Sequence, residues 1–339
     1  MAKRASIPVI VLTGFLGAGK TTVLNRLLRD PALADTAVVI NEFGDAGLDH
    51  LLVETSGEGA VLLSSGCLCC SLRGDLLDTL VNLAERRAAG SLPPFARVVI
   101  ETSGLAHPTP VLQTLLAPQL VAAGYELAGV IAIADAQRGE AVLDQHAESV
   151  AQIAVADRIL ISKSDLVDAD HSSFIERLRS FNSHADIGLL QDARPADLLS
   201  LAGLSPVGPA GTARPVFSAH DASLASFVLT TDKAMDPYRL GGFLDELLER
   251  YGAGLLRFKA LVKLADDPER PVVIHGVQHM MHPPERLGAW PDRDRNSRLV
   301  FIVKDIEPRR IDDLFAAFCC EPRLDAPDAA ALISNPLAF

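Results

Sequence analysis

Residues 14–21 read Gly-Phe-Leu-Gly-Ala-Gly-Lys-Thr and match G-x-x-x-x-G-K-[ST] without a mismatch. Small residues in such a run let successive backbone N–H groups converge on phosphate oxygens at the positive end of a following helix. Gly14, Gly17, Ala18 and Gly19 would form that cradle, Lys20 would reach the β- and γ-phosphates, and the Thr21 hydroxyl would bind Mg²⁺. The context agrees, because an apolar run at residues 7–13 predicts a strand into the loop and residues 21–29 predict a helix out of it. A glycine-rich turn without a ligand is the bland alternative, and pattern and context together set it aside.

Two later stretches complete a nucleotide site. Val98-Val99-Ile100-Glu101 ends an apolar strand in an acid and runs into Thr102-Ser103-Gly104. A carboxylate there can hold Mg²⁺ through water, and the Gly104 amide can sense a γ-phosphate, which makes Lys20, Glu101 and Gly104 the candidate catalytic groups. Ser162-Lys163-Ser164-Asp165 follows another strand. Asp165 can accept the two N–H donors that guanine presents and adenine lacks, with the Lys163 stem across the base. The alternative is an ordinary strand-to-helix turn in which Asp165 is an N-cap. His107, three residues after Gly104, reads first as a turn residue before Pro108.

A second kind of chemistry lies in Gly66-Cys67-Leu68-Cys69-Cys70. Three thiols within four residues can converge on one ion if the backbone turns sharply, and thiolates favour Zn²⁺ or Cu(I) over Mg²⁺. A closed structural zinc site takes four protein ligands; three cysteines leave the set incomplete, which suits an exchangeable ion. Small buried cysteines or a redox-sensitive cluster are the other readings. Glu42 and Asp45, in Asn41-Glu42-Phe43-Gly44-Asp45, follow the second predicted strand and can ligate a metal or sense nucleotide; a solvated loop is equally open. His275, His279 and His282 have ligand-like spacing but read better as a strand-end cluster without metal.

These groups need a scaffold that brings strand ends together. Strands are expected at residues 7–13, 37–41, 60–63, 97–101, 127–134 and 158–162, several of them continuous apolar runs of the kind buried on both faces of a parallel sheet. Helices such as residues 21–29 and 72–87 supply the crossovers of a doubly wound α/β fold. Residues 203–215 (GLSPVGPAGTARP) turn Gly/Pro-rich and read as a linker. Beyond it lie strands near 227–230, 255–264, 271–277 and 299–304 and helices over 237–251 and about 308–318, which make a smaller α+β domain. The expected division is residues 1–202, a linker at 203–218, a second domain at 219–320 and a tail at 321–339. Two domains also suit 339 residues, of which 49% are apolar and 22% charged, a globular balance that excludes disorder and collagen-like structure.

Lys plus Arg number 31 against 43 Asp plus Glu, a net charge of −12 that argues against nucleic-acid partners. No apolar run approaches the ~20 residues that span a bilayer. Residues 1–12 look briefly like a leader, but cleavage near Ala18 would cut through the phosphate loop. Five cysteines, clumped as Cys67/Cys69/Cys70 and Cys319/Cys320, make a poor disulfide framework and fit a reducing cytoplasm, with Cys319 and Cys320 assigned to packing of the last helix.

GFLGAGKTT, NEFG, GCLCC, VVIETSGLAHP and ADRILISKSDL stand in the order and spacing of the CobW family of P-loop GTPases, and LLRFKALVKL…VVIHGVQHMMHPP…RLVFI resembles that family's C-terminal domain. The likeness spans about residues 8–318. It implies a P-loop NTPase fold and a GTP-dependent metallochaperone or metal-insertion factor, its relatives linked to zinc, cobalt and other metals. It also implies phosphate binding by residues 17–22, Thr22 included, Mg²⁺ on Thr21 and Glu101, guanine on Asp165, and Cys67, Cys69 and Cys70 with Glu42 as ligands of Zn²⁺ or another transition metal. The sequence departs from the family's pattern in three places: Ser162 where GTPases usually carry Asn, His107 where members often carry an acid, and Ala260 where a glycine commonly closes the Arg257-Phe258-Lys259 motif. The leading expectation is slow GTP hydrolysis gating delivery of a metal to a client metalloprotein, with homo-oligomerisation left open. The competing one is a nucleotide-gated activator of a partner enzyme, its thiols structural or redox-sensing.

Overall fold

A computed structural model describes residues 6–31, 35–41, 61–64, 72–167, 170–194, 216–217 and 224–319. Its first half is built on seven parallel strands: β1 (Ile7–Gly14), β2 (Thr36–Asn41), β3 (Val61–Ser64), β4 (Arg97–Thr102), β5 (Tyr125–Asp135), β6 (Arg158–Ser162) and β7 (Asp186–Leu189). They lie in the order β3-β2-β4-β1-β5-β6-β7. β1 sits centrally, pairing in parallel with β4 (Val11 opposite Ile100) and with β5 (Leu12 opposite Ile131). It is apolar on both sides, as a strand with no solvent face must be.

One face of this sheet is covered by α1 (Lys20–Leu28), whose Val23, Leu24 and Leu27 pack on Ile10, Leu12, Val38, Ile131 and Leu160. The other face carries α2 (Leu72–Ala88), α3 (Thr109–Leu115), α4 (Pro118–Ala122), α5 (Gly139–Gln145), α6 (Ala147–Ala154) and α7 (Ser172–Phe181), packed on Val9, Val11, Val98, Ile100, Val130 and Ala132. Two covered faces and uniformly parallel strands make the sheet doubly wound, as the periodicity predicts. Because the strands all run one way, the carboxyl ends of β1, β2, β3, β4, β5 and β6 share one edge.

The second half is an antiparallel sheet of β8 (Val216–Phe217), β9 (Leu224–Thr231), β10 (Leu255–Val262), β11 (Val272–Val277), β12 (Met280–Met281), β13 (Glu285–Arg286) and β14 (Ser297–Lys304). α8 (Pro237–Tyr251) and α9 (Pro308–Cys319) cover one of its faces, closing a core of Phe227, Phe243, Phe258, Phe301 and Phe315. Asp236 caps α8, accepting from Tyr238 N at 2.9 Å and Arg239 N at 3.0 Å, with Pro237 in the first turn. Cys319 packs against this core, as expected of the last helix. Leu224, Leu256, Val277 and Ile302 on the other face join the core of the parallel half.

Element bounds depart from the sequence reading in small ways. β5 begins at Tyr125 rather than residue 127, and β7 has no counterpart in the expected strands because it is a short edge strand with no fully buried residue. Val216–Phe217, inside the stretch read as linker, pairs with β9 through Ser226 and Ala225. Residues 42–60, 65–71 and 320–339 lie outside the described residues, and with them Glu42, Asp45, Cys67, Cys69, Cys70 and Cys320.

Candidate functional site

The phosphate loop leaves β1 at the carboxyl edge of the sheet, between β4 and β5. Gly14 is forced by its neighbours: φ is +139°, and a Cβ there would lie 2.5 Å from the Ile133 carbonyl oxygen of β5. Gly19 opens α1 in the left-handed conformation (φ 97°, ψ 23°), a turn that an L side chain resists. No side chain caps this helix start, and its first turn holds no acid, so anion-binding capacity is retained there. Lys20 is buried and curls back so that Nζ donates to Gly14 O at 2.9 Å and Phe15 O at 3.3 Å.

Thr21 and Glu101 meet as the sequence places them. Thr21 Oγ1 donates to Glu101 Oε1 at 3.0 Å, joining the first turn of α1 to the end of β4, and Glu101 is only 4% exposed. Beside them Thr102 Oγ1 donates to Thr13 Oγ1 at 2.9 Å, tying β4 to β1. A hydroxyl and a carboxylate next to a phosphate loop form an all-oxygen donor set, which fits a hard divalent cation such as Mg²⁺. Gly104 lies against the loop so tightly that a Cβ would come within 2.6 Å of Leu16 N and Cα and 3.0 Å of Lys20 Nζ. His107, further on, accepts from Thr109 N through Nδ1 at 3.4 Å, which suits the turn reading. Burial, and then the nearby Lys304 ammonium, hold its pKa below the usual histidine value, while Glu148 opposes them. It borders a cleft of about 690 Å³ shared with Gln278, Lys304 and Arg310 of the second half.

The base-side residues are wired into the same loop. Lys163 adopts φ 55° and sends Nζ to Gly17 O at 2.8 Å and to Asp135 Oδ2 at 2.6 Å. Ser162, where an Asn is usual, brings Oγ to 2.6 Å from Ala18 O, to which it donates, and 3.2 Å from Ala134 O. Asp165 stands exposed on the short turn of 3-10 helix at Ser164–Leu166, and it caps nothing that is described. The structure therefore brings Lys20, Thr21, Glu101, Gly104, Ser162 and Lys163 to one strand edge with Asp165 just beyond it, around Gly14, Gly17, Ala18 and Gly19; Thr22 follows in α1.

Two residues of this neighbourhood escaped the sequence reading. Asp135 ends β5 as Glu101 ends β4, so the strand-end acid that flagged Glu101 was available for it too. Gln152 is completely buried in α6 and donates through Nε2 to Gly104 O at 3.1 Å and Ala106 O at 3.0 Å. A glutamine in an apolar helix carries no motif that would reveal this. His275 and His282 are neighbours, His282 N donating to His275 O at 2.8 Å, but the three histidines do not form one metal cluster: His279 Nδ1 pairs with Leu248 O at 3.1 Å and His282 Nδ1 with Pro283 O at 2.9 Å. Among the described residues no group of three or more His, Cys, Asp or Glu is arranged to hold a metal ion.

Comparison with known proteins assigns both halves. Residues 8–188 match the family described as CobW/HypB/UreG, nucleotide-binding domain, and residues 224–319 match the cobalamin synthesis protein cobW C-terminal domain. The zinc chaperone YjiA of Escherichia coli strain K12 is 31% identical over 315 residues, covering 91% of this chain and 98% of YjiA. The zinc-regulated GTPase metalloprotein activator 1 of Schizosaccharomyces pombe is 32% identical over 178 residues, covering 50% of this chain and 42% of that protein. The crystal structure of the Zn(II)-bound YjiA GTPase from E. coli superposes with a TM-score of 0.70 at 29% identity, over 93% of this chain and 99% of that one.

Proposed function

The chain belongs to the CobW family of P-loop GTPases, and on that premise we propose that it is a GTP-dependent zinc metallochaperone that passes its ion to a client metalloprotein. In this reading the loop amides from Gly14 to Thr22 bind the phosphates of GTP, and Lys20 swings from the loop carbonyls to the β- and γ-phosphates. Mg²⁺ bound with the nucleotide would be held by Thr21 and Glu101 and would neutralise phosphate charge. Asp165 accepts from the guanine edge, while Lys163 anchors the loop through Gly17 and Asp135. The sequence carries no recognisable arginine-finger or water-positioning glutamine motif, and in this reading intrinsic hydrolysis is slow, ~10⁻⁴ to 10⁻² s⁻¹.

Cys67, Cys69 and Cys70 are the zinc ligands of this reading, with Glu42 as a further one; all four lie outside the described residues. The observation that carries it is topological. β3, which leads toward the cysteines, and β2, which leads toward Glu42, end at the same edge as the phosphate loop and Glu101. A γ-phosphate at that edge can order the segments leaving it and alter the grip on the ion. The names of YjiA and of the fission-yeast activator support zinc as cargo and a metalloprotein as recipient.

The test is a competition titration with a chromophoric zinc chelator in the GDP and GTP-analogue states. Zinc affinity should differ between the states by about 5- to 150-fold, and zinc must change the ratio of the two nucleotide affinities by the same factor. Cys67→Ala should abolish the tight site. Equal zinc affinity in both states would rule out nucleotide-gated delivery, even for a genuine zinc-binding GTPase.

A further inference from the structure

Gln152 grips the loop after Glu101 from outside it by side-chain hydrogen bonds. Its amide nitrogen serves two carbonyls three and five residues after Glu101, Gly104 O and Ala106 O, while its own Oε1 is buried without a hydrogen-bond partner. An orphaned buried carbonyl is costly, and an apolar side chain would fill the same space without that cost. The same short helix also touches the phosphate loop, because His146, at its start, stacks on Phe15 with ring centroids 4.4 Å apart. Gly104 in turn rests on Leu16 and Lys20. Helix α6 thus contacts both partners of a junction that a γ-phosphate would enter.

We propose that Gln152 is a positioning residue for nucleotide-state sensing. By holding the Gly104 and Ala106 carbonyls it fixes the turn that keeps Gly104 against the phosphate loop, so that the chain distinguishes GTP from GDP. The inference rests on Gly104 being the γ-phosphate sensor.

Gln152→Met is the decisive variant, since it keeps the volume and removes the donors together with the orphaned carbonyl, preserving the fold. GDP affinity should stay within about twofold of wild type, whereas GTP-analogue affinity and kcat should each fall about tenfold or more. A merely structural side chain would move both nucleotides together. In Gln152→Glu the carboxylate would face two carbonyls at neutral pH, and only the protonated acid could donate; GTP turnover relative to wild type should therefore rise as pH falls. That profile serves as the readout if the Met variant fails to fold, and a flat profile would then count against the proposal. Gly104→Ala separates the two claims. An unchanged preference for GTP analogue over GDP in that variant overturns the sensing role of Gly104, and the role of Gln152 falls with it. A changed preference in Gly104→Ala beside an unchanged one in Gln152→Met overturns the role of Gln152 alone.

Discussion

Lys163 illustrates how much one side chain does at this edge before any ligand arrives. Its ammonium bridges the Gly17 carbonyl and the Asp135 carboxylate, and its left-handed backbone redirects the chain so that Asp165 stands exposed at the rim. Ser162 keeps the strand end bonded to Ala18 with a shorter side chain than the usual Asn, so this departure from the family pattern preserves the link to the phosphate loop. In the proposed reading, base choice then falls on Asp165. Two charge-assisted bonds to guanine have no counterpart in adenine, and losing them exceeds the ~1.4 kcal/mol that separates affinities tenfold. GTP should outbind ATP by at least about tenfold in a fluorescent-nucleotide competition. Asp165→Asn should erode that preference while phosphate binding persists, because an amide presents a donor where guanine also has one. Equal affinity of the wild-type protein for GTP and ATP would remove Asp165 from the base site.

Among the elements, the close approach of β1 and β5 sets a tight constraint on the phosphate loop. A methyl at Gly14 would press on the Ile133 carbonyl oxygen and nitrogen, both backbone, at a φ of +139°. Gly14→Ala should therefore cost a few kcal/mol, at the upper end of single substitutions, and displace the loop, lowering the thermal midpoint and nucleotide affinity together. A wild-type midpoint in that variant would mean that the strands separate without penalty. Much of this element-level order was legible in the sequence, because buried parallel strands are written as unbroken apolar runs and the phosphate loop must sit at the end of one of them. Arg158–Ser162 and Pro237–Tyr251 come out with the bounds that periodicity gives. β7 was not legible, since a half-exposed edge strand of four residues carries neither an apolar run nor an alternation long enough to count. Gln152 was not legible for a different reason: its role depends on which loop the sheet order brings beside α6, and nothing local encodes that.

At the scale of the whole molecule, the two halves are joined by charge as well as by a shared apolar core. Asp157, at the amino end of β6 and thus away from the nucleotide edge, accepts from Val130 N at 2.8 Å, Arg257 Nη2 at 2.8 Å and Lys259 Nζ at 2.5 Å. Burial works against its charged form, but Arg257, Lys259 and these hydrogen bonds outweigh it and hold the carboxyl below the ordinary aspartate range. His275, paired with Lys259 across β10 and β11, is partly buried. Burial first, then Lys259 and Arg257, push its pKa down to about 3, against the opposing pull of Asp157. His184 is lowered to about 4 by burial alone. The signs give an order of events on acidification. For a histidine depressed in the folded state, the unfolded chain takes up its proton first, so stability present above pH ~6.5 is lost as pH falls toward the folded value. Asp157 contributes only below its own unfolded value near 4, where its charge is lost. Weakening should therefore begin near pH 6.5, carried by His275 and His184 together with His107, whose value is also depressed, at up to about 1.4 kcal/mol per pH unit each, well before the carboxylate titrates. Urea unfolding measured from pH 7.5 to 4.5 should show this slope, and His275→Gln should flatten it only in part, since His184 and His107 still titrate. Parallel pH dependences for wild type and His275→Gln would mean that the folded protein already accommodates a charged His275, and that the joint between the halves is open enough to admit its proton.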